Sequence, residues 1–150
     1  MADAPVQNPL SLLLTLKHDL PVDQFQLSLG EVKSATDATN ILHFAWIIRV
    51  PNTTNQVMLC TVYDGDFDAY LDAFIDANMA GFNFVLSQLV NAPEPHLEKP
   101  AVRAEFHKWA RENNYAKEGK GKTDRLGGFF SAYPEMTVDA ILQCPEQQGS

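Results

Sequence analysis

Among the groups of this sequence that can move a proton near neutral pH are four histidines, His18, His43, His96 and His107, and His43 alone sits inside a long apolar run. An imidazole there needs a hydrogen-bond partner and can serve as proton acceptor, ligand or haem contact. No two histidines share a short metal-ligand spacing, and Cys60 and Cys144 form no Cys-x-x-Cys pair, so no metal site is expected. Asp64, Asp66 and Asp68 imitate the start of a calcium loop. The glycine and glutamate that such a loop needs at its sixth and twelfth positions are Ala69 and Ile75 here, so the three carboxylates read as helix capping. Gly121-Lys122-Thr123 imitates the end of a phosphate loop, but the first glycine falls at Ala116 and the preceding element reads as helix. Gly-x-Ser-x-Gly and His-Glu-x-x-His are both missing, which leaves hydrolase and zinc-protease chemistry without support.

The elements that must position His43 follow from periodicity. Residues 1–9, with Pro5 and Pro9, read as a loose leader, and Leu10 to Lys17 as a short apolar strand. Asp23 is placed to cap a helix carrying Phe25, Leu29 and Val32. The run Ile41 to Val50, rich in β-branched and aromatic residues and closed by Pro51, predicts a strand. After the polar turn Asn52 to Asn55, Val57 to Tyr63 returns as its hairpin partner. From Asp66 onward Phe67, Tyr70, Leu71, Phe74 and Ile75 recur at helical spacing, and Gly81 is expected to bend or divide that helix before Phe82 to Val90 continue it. Beyond the break Asn91 to Pro95, Val102, Phe106 and Trp109 mark a further helix ending near Asn114. Phe129 to Tyr133 reads as a fourth strand stopped by Pro134, Thr137 as the cap of a last helix through Leu142, and residues 144–150 as a polar tail.

A chain of 150 residues that is 45% hydrophobic and 20% charged can bury the core of one domain. Its net charge of −8 repels phosphate backbones and anionic membrane surfaces, so neither nucleic acid nor membrane is expected as a partner. The basic residues Lys117, Lys120, Lys122 and Arg125 lie in a glycine-containing loop without interleaved aromatics and read as a solvated loop. Two cysteines are too few for a disulfide framework, which predicts a reducing, cytoplasmic location. No basic n-region with a cleavage site opens the chain, and no run of roughly 20 apolar residues spans a bilayer.

The order β-α-β-β-α-(α)-β is the split βαβ arrangement. It predicts an α+β fold: a ferredoxin-like four-stranded antiparallel sheet with helices on one face, occupying 10–143 of a single domain of 1–150. The second face then calls for cover, and pairing with a twin into a dimeric α+β barrel supplies it. Strict alternation sets Leu42, Phe44, Trp46, Ile48 and Val50 on the core face, and Ile41, His43, Ala45, Ile47 and Arg49 on the face looking into the barrel. Thr61, Tyr63, Ser131 and Tyr133 are expected to add polar groups from neighbouring strands. His43, Arg49, Thr61, Tyr63, Ser131 and Tyr133 are thus the candidate ligand-binding set, with His43 the candidate catalytic group.

Three segments, Leu42-His43-Phe44-Ala45-Trp46, Tyr63 to Asp72, and Phe129-Phe130-Ser131-Ala132-Tyr133-Pro134, together resemble a little-characterised ferredoxin-like family of the dimeric α+β barrel superfamily. The resemblance spans roughly residues 10 to 143 and implies the barrel fold. It brings no agreed activity or catalytic set. The expected function is a homodimer binding a small apolar or aromatic ligand in an apolar cleft on the barrel's inner face. The alternatives are an oxygenase-like or haem-assisted enzyme using His43, with Arg49 orienting an anionic group, and a structural dimerisation module.

Overall fold

The structure, a computed structural model, describes residues 7–19, 37, 39–116 and 135–143. The expected helix after Asp23, the fourth strand at Phe129 to Tyr133 and the basic loop from Lys117 to Arg125 lie outside the described residues.

Alternating leucines make the first strand. β1 (Gln7–Thr15) buries Leu10, Leu12 and Leu14 on one face and runs antiparallel to β3 (Gln56–Asp64), from Gln7 opposite Asp64 to Thr15 opposite Gln56. The strand begins inside the expected leader and ends before Lys17. Pro9 is tolerated because residues of its parity turn their backbone groups away from β3. Ser11 N donates to Asn114 Oδ1 at 3.0 Å, Ser11 O accepts from Tyr115 N at 2.7 Å, and Thr15 O accepts from Val90 N at 2.8 Å. A proline nitrogen on that outer edge costs no bond to β3.

β2 (Leu42–Arg49) closes the hairpin on β3 through a turn in which Asn52 takes a positive φ of 63°, giving the strand order β1-β3-β2. Its pairing is broken at one place. Leu42 opposes Tyr63, but Phe44 opposes Val62, so His43 is the extra residue of a β-bulge. Every later side chain of β2 therefore lies on the face opposite to the one strict alternation gives it. Ala45, Ile47 and Arg49 share the helix-packed face with their partners Thr61, Leu59 and Val57; Phe44, Trp46 and Ile48 share the second face with Val62, Cys60 and Met58. This corrects the expected facing. Phe44 is 67%, Trp46 48% and Ile48 49% exposed, whereas Ile47 packs against the core.

Helix α1 (Phe67–Ala77) buries the expected Phe67, Tyr70, Leu71, Phe74 and Ile75 against the sheet. Asp66 caps it, its Oδ2 accepting from Ala69 N at 3.1 Å. Replacing Asp66 with alanine leaves that donor without its partner and is expected to lower stability by about 0.5–2 kcal/mol in urea unfolding. The division of the helix falls at Asn78, three residues before Gly81. Asn78 leaves helical geometry (φ −151°, ψ 64°), ends α1, and caps α2 (Met79–Gln88) by accepting from Gly81 N through Oδ1 at 3.0 Å. A Cβ on Gly81 would collide with that Asn78 side chain, so Gly81 leaves room for the cap.

Helix α3 (Pro100–Asn113) starts on a proline, whose missing N–H no first-turn acceptor needs, and buries Val102, Phe106 and Ala110. Helix α4 (Val138–Leu142) is capped as expected by Thr137, whose Oγ1 accepts from Ala140 N at 3.0 Å. The core lies between the leucine face of β1, Val57 and Tyr63 of β3, and α1 to α3, with Leu97 from the α2–α3 connection fully buried among them. The protein is thus α+β, with a three-stranded antiparallel sheet among the described residues and helices packed on it, ferredoxin-like in general. Among the described residues no helix is long and apolar enough to cross a membrane.

Candidate functional site

The bulge determines the chemistry at the end of the hairpin. An unopposed residue is free of the ladder's alternation, and His43 uses that freedom to turn its ring toward the end of β3. Its Nε2 lies 2.6 Å from Asp64 Oδ1, with the two side chains only 5% and 11% exposed. The second carboxylate oxygen, Oδ2, accepts from Val138 N at 2.7 Å, and the Asp64 backbone N–H donates to Ile41 O at 2.8 Å. Gly65 follows with φ 84°, a left-handed turn that suits glycine and redirects the chain into α1; its carbonyl accepts from Asn8 Nδ2 at 2.8 Å. Asp64 therefore ties the bulge, the end of β3 and the start of α4 together.

A carboxylate has no proton to give, so the bond between His43 and Asp64 is donated by the ring. Neutral His43 then carries its proton on Nε2 and its lone pair on Nδ1. The imidazole stands 6.4 Å, centroid to centroid, from the Phe44 ring at an interplanar angle of 30°. From there the exposed row Phe44, Trp46 and Ile48 continues along the second face.

Of the rest of the expected set, Arg49, Thr61 and Tyr63 do not gather around His43. Thr61 and Tyr63 face the helices instead: Thr61 Oγ1 is 3.0 Å from Tyr70 Oη, and Tyr63 stacks on Tyr70 with centroids 4.1 Å apart. Burial pushes the Tyr70 phenol well above the usual tyrosine value, against a smaller opposing effect from the Thr61 hydrogen bond. Arg49 lies six residues further along β2, about 20 Å away at ~3.4 Å per residue, on the parity of Val57. Ser131 and Tyr133 lie outside the described residues.

Cys60 does share the second face. It is buried, and burial raises its thiol above the ordinary value, partly offset by a hydrogen bond with Ser11, the residue opposite it on β1. A thiol held protonated in this way is a poor nucleophile.

Asp64 is the partner of His43, whereas the sequence pattern places it with Asp66 and Asp68 as a capping carboxylate. The three have separate roles. Asp66 caps α1, and Asp68 belongs to a row with Asp72 and Asp76 that faces Arg111, His107 and Arg103 of α3 in reverse order. There His107 Nε2 lies 2.8 Å from Asp72 Oδ1 and Arg103 Nη2 2.9 Å from Asp76 Oδ1, while Arg111 also covers the Phe67 ring at 4.9 Å. The signal for Asp64 was present in the hairpin: two strands joined by a short turn bring Leu42 and Tyr63 opposite each other, and hence their neighbours His43 and Asp64 close.

Fold and site together define the class, a ferredoxin-like α+β domain whose hairpin carries a shielded His–Asp pair at the end of an exposed aromatic row. Compared with known proteins, the chain matches no family model, no curated protein and no solved structure.

Proposed function

We propose that the second face of the sheet is the working surface of this protein, where a second copy packs and a small apolar or aromatic ligand is enclosed with His43 as its polar anchor. In this reading Phe129 to Tyr133 joins the sheet as a fourth strand on the outer edge of β2, the β1 edge being taken up by Asn114, Tyr115 and Val90, and the two sheets form a dimeric α+β barrel. The observation that carries the proposal is the row Phe44, Trp46 and Ile48, 67%, 48% and 49% exposed, ending at the shielded His43. Three large apolar side chains in one exposed line are unfavourable in water and mark an interaction surface. The free, buried thiol of Cys60 supports the cytoplasmic placement.

Sedimentation equilibrium at micromolar concentration tests the pairing, with twice the 16.7 kDa chain mass expected. A folded protein of single-chain mass overturns it. A thermal-shift screen of small aromatic compounds tests the ligand: a compound at 100 times its Kd adds about 2.7 kcal/mol of stability, and a screen without any shift counts against the reading.

One observation favours an enzymatic version. An aspartate that orients a histidine is the arrangement by which proteins hold an imidazole ready as a general base. A Soret band in freshly purified protein would instead assign His43 to a haem.

A further inference from the structure

Among the described residues, His43 has one hydrogen-bonded ring nitrogen and one that is not. Nε2 is held by Asp64 at 2.6 Å, and the shape of the ring turns Nδ1 away from that carboxylate. Among the described residues nothing hydrogen-bonds Nδ1, although the side chain is only 5% exposed. A shielded acceptor without a donor is costly, and an incoming donor recovers that cost.

Three features define the donor. The neighbouring surface is aromatic and apolar, with Phe44 6.4 Å from the imidazole and Trp46 further along the same face, which favours a flat apolar ligand body. The Asp64 carboxylate stands directly behind the ring in a chain of net charge −8, which disfavours an anion. Among the described residues, Arg103 and Arg111 do not offset that charge, because they are engaged between α1 and α3, and Arg49 lies at the far end of β2 with the parity of the helix-packed face.

We propose that His43 Nδ1 is the acceptor subsite for a neutral aromatic hydroxyl, so that a phenol binds with its ring on the Phe44–Trp46 face and its O–H donated to Nδ1. Asp64 is the positioning residue: it fixes the tautomer that leaves the lone pair on Nδ1 and does not touch the ligand. This subsite rests on the ligand-binding reading given above.

The test uses the full chain with three probes, phenol, toluene and benzoate. Phenol is expected to bind about five- to ten-fold tighter than toluene, the contribution of one hydrogen bond, and benzoate weaker than both. The imidazole 15N resonance of Nδ1 is expected to move on adding phenol and to stay in place on adding toluene. His43→Phe should bring phenol down to the affinity of toluene. Toluene and phenol binding equally in the wild type, or an Nδ1 resonance unmoved at saturating phenol because a water already fills the acceptor, overturns the subsite and leaves the ligand face standing. Binding of none of the three overturns the ligand face itself and the subsite with it. The resonance measurement needs no variant, so a misfolded His43→Phe leaves the test intact.

Discussion

If the proposed dimer forms, Trp46→Glu is expected to reduce it to a single folded chain of 16.7 kDa in sedimentation at micromolar concentration, with its far-UV circular dichroism unchanged. Trp46 is 48% exposed and lies outside the buried core, so a charge there leaves the folded chain intact. In the proposed interface the same carboxylate is buried without a partner. The effective penalty is several kcal/mol per unpaired ion, and a second arises from the twin. Obligate homodimer interfaces commonly bury roughly 2,000 Å² or more, yet a charge at the centre of an aromatic row removes area and adds repulsion together. Ile47→Asp, one residue along, is expected to act differently. Ile47 packs against the core beneath the sheet, so its replacement should abolish the cooperative unfolding transition. A folded single chain from Ile47→Asp beside a dimer from Trp46→Glu would reverse the facing of β2 and contradict the bulge.

The second large effect belongs to Tyr70. Its ring stacks on Tyr63 at 4.1 Å, meets Phe74 at 5.0 Å, and brings a hydroxyl to Thr61 at 3.0 Å, all within the core. Tyr70→Ala should cost about 3–5 kcal/mol, as for other large aromatic truncations, read as a fall in the urea midpoint. Tyr70→Phe keeps the ring and leaves Thr61, 3% exposed, without its partner, for an expected loss of about 1–3 kcal/mol. Adding Thr61→Val to Tyr70→Phe removes both polar groups and should recover much of that loss. A double variant no more stable than Tyr70→Phe alone would show that the hydroxyl pair contributes nothing separable from packing. The pH dependence has a definite sign. Burial raises the Tyr70 phenol above its unfolded value of about 10, so the folded state holds that proton more tightly. The associated stability is complete below that value and is lost as pH rises through the alkaline range above it.

Where periodicity and caps decide, the sequence predicted the structure. The apolar spacing of Phe67, Tyr70, Leu71, Phe74 and Ile75 gave α1, and Thr137 gave the start of α4. The hairpin around Asn52 to Asn55 followed from strand propensity and a polar turn. What failed was phase. One unpaired residue at His43 reverses the facing of all that follows in β2, and no composition signal marks a bulge in a run such as Leu42 to Arg49. The same shift in phase parts His43 from Arg49, Thr61 and Tyr63, which alternation groups with it, and the partner it does have, Asp64, has the sequence pattern of a cap. Asn78 carries no distinguishing mark in the sequence: asparagine is ordinary at a helix end, and here a single residue both ends α1 and starts α2.

The outer edge of β1 bears on how this protein behaves when crowded. An exposed strand edge is a template on which further chains can add, the first step toward aggregation. Here Pro9 offers no donor on that edge, the Asn114 side chain occupies Ser11 N, and Tyr115 and Val90 occupy the carbonyls of Ser11 and Thr15. Lys17 N is likewise engaged with Gln88 O at 2.8 Å. β1 is thereby blunted against strand addition by one imino acid and by the two chain segments that follow α2 and α3, so the leucine-rich strand is kept from recruiting other copies of itself.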